Sequence, residues 1–129
     1  MADVKVMTVD EMESVYDGMF VRARASLGVS SFGMQIENFP PNSEHYPEHD
    51  ESGSGQEEVY TALRGSAKLI VGEREYQLVP GVFARVGKGE KRRILPGPDG
   101  LQLLAIGGVP GEAYKAPEWS ELGAGAPGT

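Results

Sequence analysis

Turns are written into this chain at short, regular intervals, and no other feature constrains its fold as much. Glycine or proline stands at Gly65, Gly72, Pro80-Gly81, Gly87-Lys-Gly89 and Pro96-Gly97. The stretches between them, EEVYTAL, AKLIV, REYQL, VFARV and KRRIL, are five to seven residues long, with Val, Ile and Tyr recurring in them. Segments this short are strands rather than helices, and turns spaced about 8–12 residues apart mark an all-β sandwich or barrel. Eighteen glycines and nine prolines in 129 residues are many, but 40% of the chain is hydrophobic. That is enough for one core, and the length fits one domain.

The hairpin AKLIV-GE-REYQL carries its own register. A two-residue Gly72-Glu73 turn suits type II′, with glycine first. It pairs Val71 with Arg74, Leu69 with Tyr76 and Ala67 with Leu78 on a mostly apolar face. Ile70–Glu75 and Lys68–Gln77 then fall on a mostly polar one. A slip of one residue would scramble both faces. Further strands are expected over 30–39, where Phe32, Met34 and Ile36 alternate with Gln35 and Glu37, and over LQLLAI. Met34 and Ile36 are expected to face the barrel interior. Pro40-Pro41 ends the first of these strands, Gly65 closes EEVYTAL, and PGPDG (96–100) reads as a turn.

The N-terminus reads as a short helix. Thr8-Val-Asp-Glu11 fits a capping box, and Met12, Val15, Tyr16 and Met19 follow at helical spacing, with Gly18 as a stop. Residues 20–27 are compatible with strand or helix, and Gly28 ends them in either case. The chain divides into an N-terminal arm over 1–28, a barrel over 29–115 and a Gly/Pro-rich tail over 116–129. The tail is expected to fray except where Trp119 pins it.

Charge is distributed unevenly. The net charge is −7, which disfavours nucleic acid and anionic membranes as partners. No Lys or Arg occurs between Arg24 and Arg64, whereas that stretch holds Glu37, Glu44, Glu48, Asp50, Glu51, Glu57, Glu58 and both histidines, His45 and His49. Eight of the twelve basic residues lie from Arg64 to Arg93. Without cysteine there are no disulfides, thiolate nucleophiles or zinc–cysteine sites, so any metal must use His, Asp or Glu. No long apolar run and no signal-peptide core are present, and a soluble cytoplasmic protein is expected.

Residues 41–106 hold two short motifs, Glu58-VYTALR-Gly65 and Pro80-Gly81-VFARV-Gly87-Lys-Gly89-Glu-Lys-Arg92, and through them resemble a cupin domain. Glu58-VYTALR-Gly65 has the Glu-to-Gly spacing of the first cupin motif, with His45 and His49 upstream. Pro80-Gly81-VFARV-Gly87-Lys-Gly89-Glu-Lys-Arg92 has the spacing of the second, with Gly87 in place of its proline and Arg92 in place of its histidine. The resemblance implies a double-stranded β-helix, or jelly-roll barrel, preceded here by the short N-terminal helix. It also implies one divalent metal (Zn, Fe, Mn or Ni) on His45, His49 and Glu58, a recognised ligand set with open positions. His45 and His49 are four residues apart rather than two, and Arg92 stays protonated and cannot bind a cation. Arg92 would instead grip the carboxylate or phosphate of a small ligand, with Tyr60 lining the pocket, or pair internally with Glu57 or Glu58. Two readings follow: a metal-dependent enzyme acting on a small anionic substrate, and a non-catalytic ligand-binding or regulatory module. A homodimer is the family-level expectation, with the N-terminal helix and residues 20–36 as its interface.

Overall fold

The structure, a computed structural model, describes residues 2–126. Seven strands form: β1 (Ser14–Val15), β2 (Phe20–Val21), β3 (Gly33–Phe39), β4 (Glu57–Val71), β5 (Arg74–Leu78), β6 (Phe83–Val86) and β7 (Arg92–Gly108). Every pairing is antiparallel, in the order β1-β2-β3-β7-β4-β5, and β6 joins β4. The fold is all-β.

The β4–β5 hairpin has the register read from its pattern, from Ala67–Leu78 to Val71–Arg74. Gly72 has φ +61° and Glu73 has no positive φ, as a type II′ turn requires. Ala67, Leu69 and Leu78 are buried in the core.

Two expected ends are bends within longer strands. β4 runs through Gly65 and β7 runs through 96–100, and the two pair from Glu57–Gly108 to Val71–Arg92 with register shifts around residues 62–67. Gly65 has φ +80°, and a Cβ there would collide with the Gly100 carbonyl oxygen. The close approach of the two backbones demands glycine and lets both strands turn together. One half of the long pair carries β6 and β3; the other carries β5. Tyr60, Ala62, Leu101, Leu103 and Ala105 from the first half share one core with Ala67, Leu69, Leu78 and Ile94 from the second.

The N-terminal arm departs from the expected helix. The capping residues do meet, Thr8 N–H and Oγ1 each lying 3.0 Å from Glu11 Oε1, but they close a single 3-10 turn, Val9–Glu11. The chain then forms the β1–β2 hairpin, whose turn places Tyr16 and Asp17 at φ +55° and +54°, outside any helix. Residues 20–27 combine both alternatives: β2, then α1 (Ala23–Leu27), stopped by Gly28 in the left-handed conformation.

This arm covers the outer face of β3. Val21, Ala23 and Ile36 form a second cluster with Val9, Met12, Met34 and Leu104. Met34 and Ile36 therefore face outward under the arm, contrary to expectation. Gln35, Glu37 and Phe39 take the inner face, opposite Ala105, Leu103 and Leu101 of β7. Over its described length the tail is tied to the arm. Arg22, 3% exposed, donates to Glu13 Oε2 (3.0 Å), to the Trp119 carbonyl (3.1 Å) and to the Gly125 carbonyl (2.9 Å). The Gly123 N–H donates to the Glu13 carboxylate, and Trp119 packs edge-on against Phe20.

Candidate metal and ligand site

The site is built around Glu58 near the start of β4. Its even position turns it inward with Tyr60 and Ala62, so it is a buried carboxylate, 8% exposed, and needs partners. Three converge on Oε1. The Tyr60 hydroxyl donates to it at 2.6 Å, and His49 Nε2 and Arg92 Nη1 each lie 3.8 Å away. Tyr60 in turn accepts from the Tyr46 hydroxyl at 3.2 Å. Burial raises the Glu58 pKa, but His49, Tyr60 and Arg92 together carry it below the ordinary carboxylate value. Burial holds both tyrosines in the neutral, donor form.

His49 is placed by backbone pairing. Its N–H and C=O bond to Arg92 at 3.0 and 2.8 Å, an isolated antiparallel bridge at the start of β7. Its Nδ1 lies 3.2 Å from the Pro47 carbonyl, which can only accept, so Nδ1 carries a proton, and Nε2 faces Glu58 as a donor when the imidazole is charged and as a free lone pair when it is neutral. The facing Glu58 carboxylate raises the His49 pKa despite partial burial.

Glu51 completes a group of three. One ligand atom each from His49, Glu51 and Glu58 lies within 4.8 Å of the others. Burial, and then the Glu58 charge, raise the Glu51 pKa. His45 is outside this group. It is exposed on the 42–48 loop, where Ser43 and Tyr46 are the buried residues, and Glu51 stands in the set where His45 was expected.

Arg92 and Tyr60, expected to touch a ligand, are committed internally. Arg92 is fully buried; its Nη2 donates to the Gly87 carbonyl at 2.9 Å, and its Nη1 faces Glu58. Glu58, not Glu57, is thus its internal partner. Arg92 Nε and Nη1 have no hydrogen-bond acceptor.

Two participants were not among the expected site residues. Tyr46 packs between Phe39 and His49, at ring distances of 6.1 and 5.5 Å. Glu37, on the inner face of β3, accepts from Gln35 Nε2 at 3.0 Å; burial first, and then the Glu58 charge, push its pKa up to about 7. The signal for Glu37 was its alternation with Ile36, once the inner face of β3 is known.

A narrow cavity of about 80 Å³ opens beside the acidic group. It is lined by Glu51, Glu58, Gln56 and Gln35 from the barrel and by Arg24 and Tyr114 from the segments that cover it, among others. Among the described residues, no helix is long and apolar enough to cross a membrane.

No family model matches the sequence, and no curated protein matches it. Solved structures do match in fold. A cupin protein from Bacteroides fragilis superposes with a TM-score of 0.63 at 20% identity, over 91% of this chain and 93% of the other. A structure described as a sugar phosphate isomerase from a cupin superfamily, from Silicibacter pomeroyi, superposes with a TM-score of 0.62 at 19% identity, over 80% of this chain and 74% of the other. The chain has the cupin fold.

Proposed function

We propose that this cupin-fold chain binds one divalent cation through His49, Glu51 and Glu58 and uses it to hold a small anionic molecule at the barrel mouth. The observation that carries this reading is the convergence of three ligand atoms within 4.8 Å beside a cavity. The donor chemistry fits. The tautomer set by Pro47 leaves His49 Nε2 free to ligate. Tyr60, Arg92 and His49 gather on Glu58 Oε1, and no hydrogen bond to Oε2 forms among the described residues. Arg92 adds a positive charge where the second cupin motif has a neutral histidine, and Glu51 supplies the negative charge that offsets it. One imidazole and two carboxylates suit zinc, iron or manganese.

A bound cation would act as a Lewis acid towards an oxygen of the ligand. The chain's own residues fix the rest. Tyr60 and Arg92 hold Glu58 ionised and oriented, and the Arg92 backbone holds His49 in place. Glu37, with its pKa near 7, holds or gives up a proton inside the barrel at neutral pH.

Metal analysis of protein purified without a histidine tag tests this. About one equivalent of Zn, Fe, Mn or Ni is expected, from purification or after incubation, and it is lost in His49→Ala. Absence of metal from both proteins after incubation rejects the reading. That result favours the alternative of a non-catalytic module, in which Glu58 is simply the counter-ion of buried Arg92, a pairing the 3.8 Å approach already permits.

A further inference from the structure

The cavity that takes in Glu51 and Glu58 is also lined by an arginine with unused donors. Arg24 sits on α1, 8% exposed. Its Nη1 donates to the Val29 carbonyl at 2.9 Å, but Nε has no acceptor, and Nη2 meets Glu121 Oε1 at 3.0 Å without hydrogen-bond geometry. A buried guanidinium left this way is short of acceptors, and its planar fork is matched by a carboxylate. Tyr114 lines the same cavity. Its hydroxyl lies over the β3 backbone at Gly33, where a Cβ would stand only 2.9 Å from it, so glycine there makes room for the ring. Its ionisation is suppressed by burial, and it senses the charges of both Arg24 and Glu121. Arg24 Nε and Nη2 are both closed to solvent, so a ligand reaches this guanidinium, beside the neutral Tyr114 hydroxyl, by taking the place of the Glu121 carboxylate.

We infer that this cavity is a binding site for a small carboxylic acid, whose carboxylate seats between the Arg24 guanidinium and the Tyr114 hydroxyl. Glu121 shows the chemistry on the chain itself: a carboxylate of the tail already rests against Arg24. Its side chain is 55% exposed, so it is a displaceable occupant. Phosphate fits less well, because a dianion would share the lining with Glu51 and Glu58. The volume of about 80 Å³ limits the ligand to a few heavy atoms. The site goes beyond the cation reading and does not rest on it, since neither Arg24 nor Tyr114 belongs to the His49 group.

The test uses the full chain freed of metal with EDTA and dialysed. The Arg24 Nε–H resonance, assigned through its own side-chain correlations and checked with Arg24→Lys, is followed by NMR during titration with pyruvate and, separately, with inorganic phosphate. Pyruvate is expected to shift it saturably, about tenfold more weakly in Tyr114→Phe, and more tightly in Glu121→Gln, where the competing carboxylate is gone. Phosphate is expected to bind more weakly than pyruvate. Absence of a saturable shift in both the wild-type chain and Glu121→Gln would overturn the inference. So would phosphate binding as tightly as pyruvate, or pyruvate affinity unchanged in Tyr114→Phe. Because Glu121 is largely exposed and Tyr114→Phe removes one oxygen, both variants keep the test valid if Arg24→Lys fails to fold.

Discussion

Glu58 decides the chemistry at the scale of the residue. A carboxylate buried this deeply is tolerated because an arginine, a tyrosine hydroxyl and an imidazole converge on one oxygen. Tyr60→Phe removes the 2.6 Å donor and leaves the Tyr46 hydroxyl without its acceptor. A loss of about 1–3 kcal/mol is expected in urea unfolding; a loss within error would mean that Tyr60 does not anchor Glu58. Protons add a second prediction. Cation binding needs His49 unprotonated, and Glu58 raises its pKa above the usual 6.5. Metal affinity should therefore climb as pH rises through that raised value, measured by titration across pH 6–9 (about the range in which histidine switches charge). Glu37 acts on stability in its own way. Its folded pKa of about 7 exceeds the ordinary 4.5, so the folded state binds the extra proton and stability falls as pH rises across that interval. Glu37→Gln should remove this slope and be the more stable protein at pH 8 by about 1–3 kcal/mol. An unchanged slope would show that Glu37 titrates normally.

At the scale of the element, what could be read from the sequence was what local periodicity and turn chemistry determine. The Ala67–Leu78 hairpin was legible in full because a type II′ glycine and a two-residue loop fix its register and one face alone is apolar. β3 was legible as a strand but not in orientation. Period two says which residues share a face; it does not say which face is inner when the arm buries Met34 and Ile36 on the outside. The interior then receives Gln35 beside the cavity and Glu37 within reach of the Glu58 charge. Gly65 and the 96–100 segment carry ordinary stop signals, yet the backbone crossing makes them bends, and that contact is non-local. The same holds for the site. Glu58 and Arg92 were legible from motif spacing, while Glu51 in place of His45 depends on how the 42–56 loop closes. Gly65→Ala should cost at least about 2 kcal/mol, since a side chain meets both a positive φ and the Gly100 carbonyl. A neutral substitution would contradict the crossing.

At the scale of the whole molecule, the arm that covers the outer face of β3 and the C-terminal tail are fastened to each other. Arg22 joins Glu13, Trp119 and Gly125, segments far apart in sequence. Arg22→Gln should lower stability by about 1.5–3 kcal/mol and speed amide exchange over the tail; unchanged tail protection would show that other contacts hold it. The backbone bridge between His49 and Arg92 brings the acidic segment, with its one inward histidine, against the buried arginine of the basic segment, and in the proposed function Glu51 balances the charge that Arg92 introduces. Calorimetric titration of the metal-free chain with zinc, beside Glu51→Gln, tests that balance most directly. The account predicts one saturable site in the wild-type chain, weakened at least about tenfold by the loss of one carboxylate charge. Equal binding by the two proteins, or none by the wild-type chain, would contradict it.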